Sequence, residues 1–316
     1  MFAKSIEISI DGGVEKMSNR ITSQGQANKV IWAYKKKSVF WDFWKQIKHN
    51  KAAMFGMILI TIIVLMAILG PVVIPYEKAI VQDSAQRLQS PSLAHWFGTD
   101  NYGRDIFARI VHGAKYSLMI GVVAVAVGIS LGCILGTVSG YFGGVIDNAI
   151  MRVTDCIVCI PSTLLALTIV AALGGGLGKV LIALIIANIP VYTRVIRSTI
   201  LNVTESDYIQ AAKASGTPDW LIIIKHVLPN AIGVIIVQAS MTFGDVIITA
   251  STMSFLGLGI QPPTPEWGSM LAEGRGFMLY STSIMLFPGL AIVLTALALN
   301  LMGDGLRDAL DPRLRN

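Results

Sequence analysis

One short segment, Gly174-Gly-Gly-Leu-Gly-Lys179, contains residues that could hold a phosphate group. A phosphate-binding P-loop needs a glycine five positions before the glycine of its Gly-Lys pair, and a serine or threonine after the lysine. Leu173 and Val180 occupy those two positions. We therefore predict a turn here, and a chain with no ATP site of its own.

Cysteine and histidine give no catalytic pattern either. Cys156 and Cys159 have the spacing of a redox pair, but they lie in an apolar stretch without the βαβ context of such a motif. The four histidines form neither an H-E-x-x-H motif nor a Cys/His cluster. These patterns predict no catalytic residue, no metal site and no cofactor bound by this chain.

Asp245 is the one charged residue in an apolar stretch of about residues 228–258. Acids inside a membrane are costly, and they usually face a partner or a water-filled path. Asp245 therefore either lines a path through the membrane or pairs with a polar group of a neighbouring subunit.

The composition requires these residues to be positioned by membrane helices. The chain is 53% hydrophobic and 14% charged, with a mean hydropathy of +0.64, whereas soluble domains carry about 25% charged residues. We predict an all-α integral membrane protein with six transmembrane helices. The spans are predicted at about residues 52–76, 116–146, 146–172, 179–197, 228–258 and 283–302.

The basic residues predict the orientation of these spans. Residues 1–51 hold ten Lys/Arg against four Asp/Glu, and the remaining 265 residues are balanced. With both termini inside, eighteen of the 25 Lys/Arg lie on the inner side. The positive-inside rule then places both termini and the segment 204–230 in the cytoplasm. The basic excess belongs to an N-terminal flank, and no nucleic-acid-binding motif accompanies it.

The segment 204–230, between the fourth and fifth spans, is predicted to be a helix, a turn and a second helix. Thr204 and Thr217 are placed to N-cap the two helices, with Asp207 completing a capping-box arrangement after Thr204. Gly216 is placed to end the first helix, because glycine adopts the left-handed conformation without a Cβ penalty. A hairpin of this kind is expected in a membrane protein that a soluble partner pushes.

This hairpin carries Gln210-Ala-Ala-Lys-Ala-Ser-Gly216 and ends in His226-Val-Leu-Pro-Asn230. It resembles the EAA loop of ATP-binding-cassette (ABC) importer permeases, where the loop docks on the ATPase and couples ATP hydrolysis to the spans. Glutamine stands where the family usually has glutamate. Helical spacing places four of the residues expected to couple on one face of the first hairpin helix. The residues expected to couple are Tyr208, Gln210, Ala211, Ala212, Ser215, Gly216, Leu228 and Pro229, of which Tyr208, Ala211, Ala212 and Ser215 share that face.

Further motifs extend the resemblance over roughly residues 40–314. They resemble the second (C-type) permease subunit of the dipeptide, oligopeptide and nickel branch of these importers. In an outer loop, Asp100, Gly103, Arg104 and Asp105 form one such motif, and Asp105 is expected to pair with Arg109 at i,i+4 spacing. The other motifs are Ser254-Phe-Leu-Gly-Leu-Gly259, Gln261-Pro-Pro-Thr-Pro265, Trp267-Gly268 and Gly303-Asp-Gly-Leu-Arg-Asp308.

The resemblance implies a permease subunit that imports short peptides by alternating access. Its implied partners are a homologous permease, two ABC ATPases that hold ATP and magnesium, and an extracellular or periplasmic substrate-binding protein. Asp245 would then meet the amino group of a peptide; related permeases often have a glutamate at the position of Ala250 instead. Nickel chelates, glutathione or another small solute remain alternative cargoes, and an ion-coupled secondary transporter is the lesser alternative.

The expected organisation has four parts. Residues 1–37 form a disordered cytoplasmic tail, and residues 38–115 hold an interfacial helix, the first span and an outer loop. Residues 116–305 form the core permease domain with its coupling loop, and residues 306–316 form a cytoplasmic C-terminal tail.

Overall fold

The computed structural model of the protein describes residues 47–310, and within that range it is almost entirely helical. The expected N-terminal tail and most of the expected interfacial helix lie outside the described residues, where only residues 47–49 of that helix are included. The α-helices are α1 (Lys51–Val73), α2 (Glu77–Ile80), α3 (Ile106–Phe142), α4 (Gly144–Val158), α5 (Ser162–Leu173), α6 (Leu177–Thr204), α7 (Asp207–Ala214), α8 (Asp219–Ile222), α9 (Leu228–Phe255), α10 (Trp267–Gly274) and α11 (Ser283–Leu310).

Five helices in the described part of the chain are long and apolar enough to cross a membrane, and a bent pair brings the number to as many as six. The pair is α4 and α5, whose axes differ by 84°. Pro161 occupies the N-cap of α5 with φ −51° and ψ 130°, and a proline lacks the amide hydrogen of a helical bond and disfavours helical backbone at the residue before it. The span predicted at about residues 146–172 is therefore divided between two helices.

Three of the straight spans are longer than their apolar runs suggested. Helix α3 begins at Ile106, ten residues before the predicted start, because Asp105 caps it by accepting a hydrogen bond from the Ala108 amide at 2.8 Å. Helix α6 continues past residue 197 to Thr204. Helix α11 reaches Leu310, so residues 306–310 are helical. Residues 311–316 lie outside the described part.

Helices α3 and α6 pack closely along a stripe of small residues. A Cβ atom added to Gly136 would lie 2.8 Å from the Thr193 carbonyl oxygen, and one added to Gly140 would lie 2.9 Å from that of Arg197. Glycines at i,i+4 spacing allow two membrane helices to approach backbone to backbone. The stripe consists of Gly128, Gly132, Gly136 and Gly140. The two helices thus form a continuous pair that ends at the hairpin.

Candidate functional site

The hairpin turns at Gly216, as the sequence predicted. Gly216 has φ +74°, its amide donates to the Lys213 carbonyl at 3.0 Å, and the Thr217 amide donates to the Ala212 carbonyl at 3.2 Å. These two bonds form a Schellman motif, which ends a helix with a left-handed residue. The turn therefore has a defined geometry rather than that of an open loop.

The two predicted threonine caps are wrong. Thr204 is the last residue of α6, and its hydroxyl donates to the Leu201 carbonyl at 2.9 Å. Ser206 and Pro218 take the N-cap positions of α7 and α8, and neither side chain makes a capping bond. The prediction failed because α6 extends to Thr204, which leaves that residue inside a helix.

Gln210 has a structural role at this junction. Its side-chain amide donates to the Thr204 carbonyl at 2.9 Å. The bond links α7 to the last turn of α6, where carbonyl groups lack helical partners.

Both arms of the hairpin are fixed to the body of the protein. Ile209 in α7 and Ile222 in α8 are fully buried, in one cluster with Ile196 and Ile200 of α6. Tyr141, near the end of α3, adds a polar attachment. Its hydroxyl donates to Asp219 Oδ1 at 2.6 Å, and its ring lies 4.7 Å from the Lys213 ammonium. The hairpin is therefore joined to both α3 and α6.

The predicted shared face of α7 divides between solvent and the protein. Tyr208, Ala211 and Ser215 are exposed, whereas Ala212 packs against the buried cluster. Sequence reasoning missed two exposed apolar side chains on the second arm, Trp220 (63% exposed) and Ile224 (58%). Their i,i+4 spacing within an apolar run was the available signal.

The second arm continues into the next span without a break. Residues Asp219–Phe255 form one helix, with a wide π-helical turn at Ile223–Val227 directly before Leu228 and Pro229. Pro229 has no amide hydrogen, and a π-turn is a known way to insert such a residue into a helix. The second arm of the hairpin and this span are therefore one continuous helix.

At the opposite end of the helices, the outer-loop motif forms a buried ionic network. Asp100 accepts from Arg104 Nε at 2.6 Å and from Arg109 Nη1 at 2.9 Å. Glu273 Oε2 accepts from the same two arginines, at 2.9 and 2.7 Å. The expected pair of Asp105 with Arg109 is wrong, because Arg109 turns to these two acids. Each guanidinium thus contacts both acids, which offsets part of the cost of burying these charges.

The remaining motif residues shape the loop around this network. Gly103 has φ +78° and lies against the Asp83 backbone, so a Cβ would not fit. Asp105, besides capping α3, contacts His95 Nδ1 at 2.8 Å. The network fixes the loop to α10, and the sequence pattern did not identify Glu273 as its partner.

Asp245 is exposed on α9 and lines a cleft of about 490 Å³ between helices of the protein. Ala250 lies buried one turn further along α9, away from that lining. Within residues 47–310, no group of three or more His, Cys, Asp or Glu side chains is arranged to hold a metal ion.

Comparison with known proteins identifies the family. Residues 108–316 match the model of the binding-protein-dependent transport system inner membrane component, and residues 38–91 match that of the N-terminal TM domain of oligopeptide transport permease C. Both matched models describe membrane components of transport systems. The chain belongs to the family of binding-protein-dependent transport system inner membrane components, and it is a transmembrane permease subunit of an ABC importer.

Curated relatives are similar over most of their length. The chain is 46% identical over 275 residues to the dipeptide transport system permease protein DppC of Alkalihalophilus pseudofirmus, covering 87% of this chain and 90% of the relative. It is 42% identical over 275 residues to the glutathione transport system permease protein GsiD of Pectobacterium atrosepticum, covering 87% and 91%.

Solved structures show the same fold. A structure of the MetNI methionine ABC transporter in an inward-facing conformation aligns with a TM-score of 0.52 at 18% identity, over 64% of this chain and 97% of the other. The expected permease fold is therefore confirmed.

Proposed function

We propose that the hairpin of residues 204–230 docks on an ATP-hydrolysing subunit and passes its movement to the membrane helices. The observation that carries this proposal is the contrast between the two sides of the hairpin. Ile209 and Ile222 are fully buried against the protein, while Tyr208, Trp220 and Ile224 are exposed. Exposed aromatic side chains on a rigid support are typical of residues that anchor a partner.

The proposed assembly contains this chain, a homologous permease, two ATPase subunits and a substrate-binding protein. ATP and magnesium would be held by the ATPases, because Leu173 and Val180 remove the pattern of a phosphate-binding loop from this chain. The excess of basic residues near the N-terminus supports a cytoplasmic location for both termini and the hairpin. The substrate-binding protein would then approach the opposite end, where the Asp100 network fixes the outer loop.

The proposed cargo is a short peptide. Two relatives that match over 87% of this chain are named for dipeptide and glutathione transport, and glutathione is itself a small peptide derivative. We therefore place the substrate among small molecules that carry amino and carboxyl groups. Glutathione is the alternative cargo with direct support from a relative.

Photocrosslinking tests the docking assignment. A benzophenone amino acid at Trp220 in the complete transporter should crosslink to an ATPase subunit. The matched control is the same amino acid at Leu279, which is 93% exposed and lies before α11, at the end remote from the hairpin. Absence of ATPase crosslinks from position 220, or equal crosslinking from both positions, would overturn the assignment.

A further inference from the structure

An apolar groove with one positive charge lies between α1 and α3, near the ends of these helices that are remote from the hairpin. Its volume is about 530 Å³, within the range of about 300–1,000 Å³ that is usual for small-molecule sites. Among the described residues, the lining consists of apolar side chains and Lys115, without an acid. The groove therefore combines an apolar surface with a single basic group.

Two antiparallel rows of side chains form the groove. Each row has i, i+3, i+4, i+7 spacing, which places its members on one face of a helix. The row on α1 is Val64, Ala67, Ile68 and Pro71, and the row on α3 is Lys115, Leu118, Met119 and Val122. Because Gly70 of α1 packs against Val111 of α3, Pro71 and Lys115 lie at the same end. Each row extends about 10 Å along its helix, at 1.5 Å per residue.

The basic end of the groove lies at the depth of lipid headgroups. Helix α1 has 23 residues and ends at Val73, so its length of about 35 Å is close to the hydrocarbon thickness of about 30 Å. Pro71, beside Lys115, is therefore near the surface of the hydrocarbon core. Tyr76 packs edge-on against His112 with ring centroids 5.1 Å apart, and tyrosine is enriched at membrane interfaces. The apolar end of the groove points towards the acyl chains.

The Lys115 side chain is exposed and faces no acid in the part of the chain that the structure describes. The ion pairs at 4.0 Å or less among residues 47–310 involve other cations. A lysine at this depth keeps its stem along the apolar surface and its ammonium at the interface. The ammonium is therefore available to an anion whose apolar part follows the two rows.

A second groove beside the same helices differs in its charge. It measures about 490 Å³, is lined by Gly70 and Val111, and contains Lys78 together with Asp105. Its lining thus has both signs of charge and gives no preference for an anionic ligand. The groove at Lys115 has the cation alone.

We propose that the Lys115 groove binds an anionic glycerophospholipid of the leaflet remote from the hairpin. An acyl chain lies along the two rows, and the lipid phosphate contacts the Lys115 ammonium. A lining with one positive charge complements a lipid with one negative charge, whereas the ammonium of a zwitterionic headgroup finds no carboxylate in this lining. The bound lipid joins α1 to α3 along the groove. The proposal depends on neither the cargo nor the hairpin function.

Photocrosslinking from inside the groove tests this proposal. The complete transporter, with an aliphatic diazirine amino acid in place of Leu118, is reconstituted into vesicles of equal parts phosphatidylglycerol and phosphatidylethanolamine with the same acyl chains. Mass spectrometry then identifies the adducts of this chain. We expect mainly phosphatidylglycerol adducts, and Lys115→Gln should lower the ratio of phosphatidylglycerol to phosphatidylethanolamine adducts about fivefold, as expected for one lysine near a membrane surface.

Two further variants separate the charge of Lys115 from other causes. Lys115→Arg keeps the positive charge and should keep the ratio near that of the unsubstituted chain. Lys179→Gln is the matched control, because Lys179 is an exposed lysine in the first turn of α6, outside the groove, and it should leave the ratio unchanged.

Three outcomes would overturn the lipid site. The first is an unchanged ratio in Lys115→Gln, and the second is an equal fall in Lys115→Gln and Lys179→Gln. The third is crosslinking of position 118 to the homologous permease in place of lipid, because the groove would then be a subunit interface.

Discussion

At the residue scale, Gln210 joins two helices with a hydrogen bond that a glutamate could not donate. Its amide reaches the Thr204 carbonyl at 2.9 Å, at the point where α6 passes into the hairpin. A carboxylate at this position would face the carbonyl oxygen without a proton to share. Gln210 therefore supplies an internal link between the two helices.

Gln210→Glu is expected to loosen this junction. Loss of one hydrogen bond of about 1 kcal/mol should raise amide hydrogen exchange at residues 204–210 roughly fivefold, as measured by mass spectrometry on the purified complex. Gln210→Ala, which also lacks the donor, should give at least half of that increase. Unchanged exchange in Gln210→Glu would show that the amide does not hold the junction.

Residue-level prediction succeeded where one residue determines the local geometry. Gly216 could be recognised because a left-handed helix end favours glycine. The Glu273 partner of Arg109 could not be recognised, because Glu273 is 164 positions away along the chain. The i,i+4 rule offered Asp105 instead, which is occupied as the cap of α3.

At the element scale, the start of α10 depends on one buried acid. Glu266 caps this helix by accepting from the Gly268 and Ser269 amides at 2.9 and 2.8 Å, and Ser117 of α3 donates to it at 3.2 Å. Burial raises the pKa of Glu266, and these hydrogen bonds oppose the rise. The cap thus joins α10 to α3 through a carboxyl group that retains its proton more tightly in the folded protein.

This raised pKa predicts how stability depends on pH. Because the folded protein holds the proton more tightly, the contribution of Glu266 is fully present below the ordinary value of 4.5 and is lost as the pH rises through the folded-state pKa. The melting temperature of the wild type relative to Glu266→Gln should therefore fall as the pH rises above about 4.5. Thermal unfolding in nanodiscs measures these melting temperatures, with the exposed-site variant Glu77→Gln as the baseline. A wild-type melting temperature that rises relative to that of Glu266→Gln as the pH rises would contradict the assignment.

Element bounds followed the apolar runs only in part. The runs located the spans, but the start of α3 depends on the Asp105 cap, and the bend before α5 depends on Pro161. Both features are local signals that a count of apolar residues overlooks. Because α6 extends to Thr204, the predicted cap of the first hairpin helix was also wrong.

At the scale of the whole molecule, the glycine stripe and the hairpin attachments form one mechanical path. Helices α3 and α6 are in close contact from Gly128 to Gly140, and Tyr141 follows directly with its contacts to Asp219 and Lys213. Motion of the hairpin should therefore move the helix pair as a unit. The resemblance to importer permeases predicted the fold class and the function, whereas the cleft required the tertiary structure, because its lining comes from four separate helices.

The central claim is that the hairpin couples ATP hydrolysis to import. The number of substrate molecules imported per ATP hydrolysed tests this claim most directly. Gly216→Val puts a β-branched residue at φ +74°, a strain of about 1–2 kcal/mol, and should distort the angle between the hairpin arms. Gly257→Val is the matched control: Gly257, at φ +82°, ends α9 at the remote end with the same pair of hydrogen bonds. We predict that Gly216→Val lowers import per ATP at least tenfold while ATP hydrolysis continues, and that Gly257→Val keeps the ratio near that of the wild type. A normal ratio in a fully assembled Gly216→Val transporter would contradict the coupling role of the hairpin.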